Sequence, residues 1–211
     1  MFINGTIRDY VDKASAATPT PGGGSISALA GALGASMACM AANFTVGRKK
    51  FKAVEPAVRA ILRRIEDARE RLLQLTEEDS RAYEKFSAAL SMPKETDEEK
   101  AVREQALQGA VREAMAVPLN IVRVCSDVLR DLTELVGIAN PNLISDVGVA
   151  AVLVEGALRG AKLNVEINLA YLKDEELESN VRKELNEQRS RAASDLRAVA
   201  EKVAAAIGGT P

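Results

Sequence analysis

Residues 56–91, PAVRAILRRIEDARERLLQLTEEDSRAYEKFSAALS, carry one line of side chains from end to end. Val58, Ile61, Ile65, Ala68, Leu72, Leu75, Asp79, Ala82, Phe86 and Ala89 follow one another at alternating spacings of three and four. That period belongs to a helix with one face on a core, and its length predicts a long packing seam. Pro56 falls where the first turn belongs, and Ser91-Met92-Pro93 closes the run. Every member of the seam is apolar except Asp79.

Working outward, the flanking sequence repeats the theme of helices separated by breakers. Thr6 and Asp9 form a capping pattern, and Ile7, Val11 and Ala14 share a face, which predicts a first helix of about three turns. Thr18-Pro19-Thr20-Pro21-Gly22-Gly23-Gly24 ends it, and Ser25 is placed to cap a second helix that runs to near Gly47. Residues 14–47 carry no charge, and Ser25 to Val46 is long enough to cross a bilayer. The few strong insertion formers there are offset by Ala, Gly, Ser, Asn and Thr, so the expectation is a helix buried in a bundle, not in a membrane. Downstream, Thr96 and Glu99 make a capping box for a helix expected to kink or restart at Pro118 and continue to about Leu135. A loop containing Asn140-Pro141-Asn142 precedes a helix from about Asp146 to Leu172, along which Gly156, Gly160, Asn164 and Asn168 recur at spacing four. Asp174 caps a last, highly charged helix with Leu177, Val181, Leu185, Ala192, Leu196, Val199 and Val203 inward. No run alternates like a strand. The reading is an all-α fold without a sheet, one domain of long antiparallel helices over residues 1–211.

Composition narrows the chemistry. Lys plus Arg is 28 and Asp plus Glu 30, a net charge of −2, which argues against a nucleic-acid partner. There is no histidine, so triads, Cys-His dyads, His-ligated metals and a histidine base are all excluded. Acid-base work falls to carboxylates, Lys, Tyr or Cys with shifted pKa values. Aromatics are 3% with no Trp, which argues against stacking boxes. Cys39 and Cys125 read as small core residues of a reduced, cytoplasmic protein, making neither a disulfide framework nor a metal site. No basic region leads into a Leu-rich run, so no signal peptide is expected.

Three features can carry a site. Gly22, Gly23, Gly24 and Ser25 run into a helix start, where free amides and the helix dipole face any ligand; a flexible turn explains the same residues. Asp79 is costly on a core seam unless paired or functional, and burial would raise its pKa toward proton-transfer range; fixing helix register is the alternative. Arg48-Lys49-Lys50 can take an anionic tail or simply be a solvated surface. Ser145 and Asp146 stand where caps usually stand, and Asn164 and Asn168 suit ligand contact or helix-helix hydrogen bonds.

Taken together, TPTPGGGS (18–25), FTVGRK (44–49), EDSRAY (78–83), NPNLISDVGV (140–149) and NVEINL (164–169) make the chain similar to the cyclodeaminase/cyclohydrolase family of folate enzymes. The resemblance covers nearly the whole chain and implies an all-helical dimer acting on tetrahydrofolate one-carbon derivatives, with no cofactor beyond that folate. Two reactions follow from it: cyclodeamination of formimidoyltetrahydrofolate, the favoured one, and hydrolysis of methenyltetrahydrofolate. Asp79 then becomes the proton donor and acceptor, with Asp146 next in line. Gly22, Gly23, Gly24, Ser25, Ser145, Asp146 and Asn164 become substrate contacts. Arg48 and Lys49 become the holders of the glutamate tail, polyglutamylated forms included. A homo-oligomer, at least a dimer, is expected because the helices at 25–46 and 147–172 offer more small-residue surface than one chain can cover. A non-catalytic helical interaction module is the rival of another class; it needs neither glycine-rich helix start, seam carboxylate nor cation cluster.

Overall fold

The long seam is realised as predicted, in a helix packed along its whole length. A computed structural model describes residues 2–208, and among them are six α-helices, two short 3₁₀ turns and no strand. The helices are α1 (Ile7–Ser15), α2 (Gly23–Asn43), α3 (Glu55–Leu90), α4 (Asp97–Leu135), α5 (Ile144–Leu169) and α6 (Glu175–Gly208). Helix α2 packs on α3 and α5, and α4 packs on the same two, so these four close a bundle, with α6 laid against α4 and α5. Ion pairs Lys85–Glu113 and Arg64–Asp131 run α3 and α4 antiparallel; Arg112–Asp174 and Arg123–Glu184 run α4 and α6 parallel. Buried side chains of α2 to α6 form one continuous cluster, which includes Val58, Ile61, Ile65, Leu72, Leu75 and Phe86 of the seam.

Helix α2 is apolar and long enough to span a membrane by composition. In this fold Ala28, Ala35, Ala38, Ala41 and Ala42 are fully buried between its neighbours. Small residues set the spacing. A Cβ on Gly34 would lie 2.6 Å from Val154 Cγ2 and 3.0 Å from Ala150 O, so α2 and α5 approach backbone to side chain. The free thiols of Cys39 and Cys125 sit in this core, where burial raises them to about 11 and about 12.

The capping boxes form at Thr6/Asp9 and Thr96/Glu99, and Asp174 Oδ1 accepts from Leu177 N. Three expectations are corrected. Helix α2 begins at Gly23 and ends at Asn43, so Ser25 lies in its first turn and Gly22, without a side-chain bond, is the cap. Helix α5 starts two residues before Asp146, which puts Ser145 and Asp146 inside its first turn. Helix α4 neither ends nor restarts at Pro118, which is buried inside a continuous helix. The carbonyl that this proline leaves without its helical donor, Ala114 O, accepts instead from Asn168 Nδ2 of α5 at 3.3 Å. The first helix forms as expected, with its apolar face outward: Ile7 is 85% and Val11 57% exposed, and Tyr10 alone of that helix is buried.

Candidate active site

Asp79 sits on α3 facing the N-terminus of α2, and the contact is tight. Its Oδ2 accepts from Ser25 N at 2.9 Å. A Cβ on Gly24 would lie 2.0 Å from Asp79 Oδ1 and 2.6 Å from its Cγ, so only glycine lets the carboxyl reach the first-turn amides. In effect the carboxyl of α3 caps α2, which explains why Gly22 needs no capping side chain. Burial pushes Asp79 above the ordinary carboxylate range, and the Ser25 amide pulls the other way without reversing it.

Ser25 belongs to the support of this contact. Its side chain is fully buried, and its Oγ donates to Thr76 O at 2.9 Å. That uses its one proton, so the Tyr10 hydroxyl, 2.8 Å away, is the donor to Ser25 Oγ. Burial raises the Tyr10 pKa, with lesser contributions from the Asp79 and Glu77 charges, so it stays a donor. Phe2 packs edge-on against the Tyr10 ring at 5.8 Å, and Ile3 N donates to buried Glu77 Oε1 at 2.9 Å. The N-terminal arm is thus fastened directly behind Asp79.

In front of Asp79 opens a cavity of about 440 Å³, within the range of small-molecule sites. It is lined by Pro19, Thr20, Gly22 and Gly23 before and at the start of α2, by Tyr83, Phe86 and Leu90 of α3, by Ala114 of α4, and by Asn164, Ile167, Asn168 and Tyr171 of α5 and the turn after it. Phe86 packs edge-on against Tyr171 at 5.3 Å, and Tyr83 lies 6.3 Å from Phe86. Gln108 Nε2 donates to Tyr171 O at 2.9 Å, which fixes this shelf to α4. Asn164 Nδ2 donates to Gly160 O at 2.9 Å, leaving its carbonyl oxygen as an acceptor. Among the described residues no Lys or Arg lines the cavity. Among the described residues no three metal-ligating side chains gather.

Of the residues singled out from sequence, Gly22, Gly23, Asp79, Asn164 and Asn168 line this one cavity. Gly24 and Ser25 stand behind it, holding Asp79 and not presented to a ligand. Arg48, Lys49, Ser145 and Asp146 are elsewhere. Arg48 and Lys49 follow the C-terminus of α2, which at 1.5 Å per residue lies about 30 Å from Gly23. The Asn140 loop joins them there: Asn140 N donates to Thr45 Oγ1 at 2.8 Å. Ser145 lines an apolar groove between α5 and α6. Asp146 therefore cannot replace Asp79 within one chain.

Three of the seven aromatic residues, Tyr83, Phe86 and Tyr171, gather in the cavity, contrary to what the low aromatic content suggests. Their signal was spacing. Tyr83 and Phe86 stand four and seven after Asp79, on its face of α3, and Tyr171 stands three after Asn168.

A helical bundle with a carboxyl docked on a glycine helix start defines a cavity-bearing all-α protein, and sequence comparison gives it a family. Residues 6–187 match the formiminotransferase-cyclodeaminase family, and the chain belongs to it. It is 40% identical to a methenyltetrahydrofolate cyclohydrolase of Methylorubrum extorquens, over 88% of this chain and 89% of that protein. It is 34% identical to the formimidoyltransferase-cyclodeaminase of Rattus norvegicus over 86% of this chain, which spans 34% of that longer protein. A crystal structure of formiminotetrahydrofolate cyclodeaminase from Thermotoga maritima superposes with a TM-score of 0.89 at 31% identity, covering 98% of this chain and 100% of that one.

Proposed function

We propose that this chain is a folate one-carbon enzyme that acts on the carbon between N5 and N10 of tetrahydrofolate, with Asp79 as its proton donor and acceptor. The observation that carries this reading is the cavity itself, in which a burial-raised carboxyl faces asparagine oxygens and aromatic rings with no cation among them. Formimidoyl and methenyl folates both carry a positively charged carbon between nitrogens, and such a lining attracts it. The aromatic side chains and the bare glycine backbone of that lining suit a flat ring.

The first reading is cyclodeamination. N10 attacks the formimidoyl carbon and gives its proton to the Asp79 carboxylate. The protonated Asp79 returns it to the former imino nitrogen, which leaves as ammonia while the methenyl bridge closes. The second reading, supported by the 40% identity at matched length to a cyclohydrolase, is bridge opening. Here Asp79 takes a proton from the water that adds to the bridge carbon and delivers it to N5 as that bond breaks, while the added hydroxyl releases its remaining proton to solvent and becomes the formyl oxygen. Incubating pure protein with each folate and following the methenyl absorbance separates them. A rise with formimidoyltetrahydrofolate means cyclodeaminase; a fall with methenyltetrahydrofolate above the spontaneous rate means cyclohydrolase; neither sinks the reading.

The cation cluster enters through a second copy. Ile26 and Leu33 of α2 and Leu163 and Ile167 of α5 are exposed on neighbouring antiparallel helices. Two such faces packed about a two-fold axis set the Gly47 end of one α2 beside the Gly23 end of the other. Arg48 and Lys49 would then reach the glutamate tail of a folate bound in the partner's cavity. Leu33→Glu should yield a monomer by sedimentation that has lost affinity for the substrate tail; a fully active wild-type monomer at micromolar concentration would overturn the arrangement. The reading needs no cofactor beyond the folate, and two buried, unpaired thiols fit a reducing, cytoplasmic setting.

A further inference from the structure

Proline in a helix interior is destabilising relative to alanine, because it removes one hydrogen bond and crowds the carbonyl four residues back. Pro118 stands inside α4, and the carbonyl four residues back is Ala114 O. Ala114 lines the cavity together with Asn164 and Asn168. The freed carbonyl is taken up by Asn168 Nδ2 at 3.3 Å, and the same nitrogen donates to Asn164 O at 2.7 Å. An amide nitrogen has two protons, and both are committed. What Asn168 offers the cavity is therefore its Oδ1, held as an acceptor.

We infer that Pro118 is a positioning residue: by freeing Ala114 O it clamps the Asn168 amide between α4 and α5, so that Asn168 Oδ1 faces the positively charged carbon of the substrate. An alanine at 118 would supply the missing N–H to Ala114 O and compete with Asn168 for it. The Asn168 amide, with one anchor weakened, could then turn a donor toward the cavity, which repels the same charge. The inference rests on the proposed folate chemistry for its purpose, while the clamp itself is independent of that chemistry.

A two-mutation cycle tests both parts. In melting experiments without substrate, Asn168→Ala should lower Tm by orphaning Ala114 O, and Pro118→Ala added to it should restore Tm. Pro118→Ala alone should match or exceed wild type in Tm. In kinetics, Pro118→Ala and Asn168→Ala should each lower kcat/KM for the active folate about tenfold, and the double variant should lose no more than Asn168→Ala alone. The signature is a variant that gains stability and loses activity. Undiminished kcat/KM in Pro118→Ala, or additive kinetic losses, would overturn the positioning role. A Pro118→Ala variant that melts earlier, or fails to restore Asn168→Ala, would overturn the clamp. Should wild type turn over neither folate, the functional reading fails with the positioning role, and the melts still decide the clamp.

Discussion

The two ends of α2 are built on opposite principles. At its start, Gly24, Ser25, Thr76, Asp79 and Tyr10 are locked together by close contacts and hydrogen bonds, and nothing there can shift without moving the carboxyl. At its other end, Arg48, Lys49 and Lys50 stand exposed in a short turn. A reacting carbon needs a proton donor held to a fraction of an ångström, whereas a flexible anionic tail needs only nearby charge. A locked start and an exposed, charged end match those two demands, and perturbing each end should have a different signature.

The largest effect is expected at Gly24. A valine there cannot coexist with the observed position of Asp79, and overpacking of this kind costs about 1 to 3 kcal/mol in stability. Turnover should fall below detection, because the carboxyl and the first turn of α2 must part. Gly22→Ala is the control, since its added Cβ meets nothing nearer than Pro19 O at 3.5 Å. Equal activities for the two variants would show that the glycines form a turn and no more.

Next comes Asp79→Asn. The amide oxygen can still accept from Ser25 N, but the group cannot carry a proton, so kcat should drop about 100-fold or more. Stability should move the other way. Because Asp79 is raised in the folded state, the folded protein holds a proton that the unfolded chain has released. Wild type is therefore destabilised as pH climbs through the window between the ordinary and the raised value. The Tm of Asp79→Asn should overtake that of wild type across this window and stay level with or above it at neutral pH. A variant that keeps its turnover and melts earlier would make Asp79 a register residue.

Lys49→Ala should act at the exposed end alone. Tm should not change, since the side chain is exposed in its turn. Affinity for a polyglutamylated folate should weaken about tenfold, less so at high salt, and a folate with a single glutamate should be affected less. Equal loss for all tail lengths would remove the tail contact.

How much of this could be read without coordinates differs between the same two ends. Asp79 is conspicuous because it is the one polar member of a ten-position seam that follows a strict helical period. Gly22 to Ser25 stand out as a glycine-rich helix start. Their pairing is invisible, since Ser25 and Asp79 are 54 positions apart and no local pattern links them. The chemistry of Arg48 and Asp146 is plain in their residue types, yet grouping them with Asp79 overlooks the rise of the intervening helix. Average aromatic content hid the shelf, because averages carry no information on clustering. Pro118 gives a breaker signal in any single chain segment; the donor that lets α4 continue comes from Asn168, another helix away.

The smallest effect sharpens the rigid end, and it falls on Tyr10→Phe. The ring stays, with its packing on Phe2, and one hydroxyl goes. Ser25 Oγ then keeps its bond to Thr76 O and loses the donor that fixes its other side, a change worth about 1 kcal/mol in stability. If Tyr10 only fastens the N-terminal arm, Tm alone should fall. If it steadies the amide that Ser25 presents to Asp79, that hydrogen bond will weaken, and with it the one interaction holding the Asp79 pKa down. The limb of the kcat profile set by Asp79 should then move to higher pH, with KM unchanged. Ser25→Ala, which removes the acceptor instead, should shift the limb in the same direction, and the double variant should shift it no further. A profile that stays in place in both variants would confine Tyr10 to anchoring the arm.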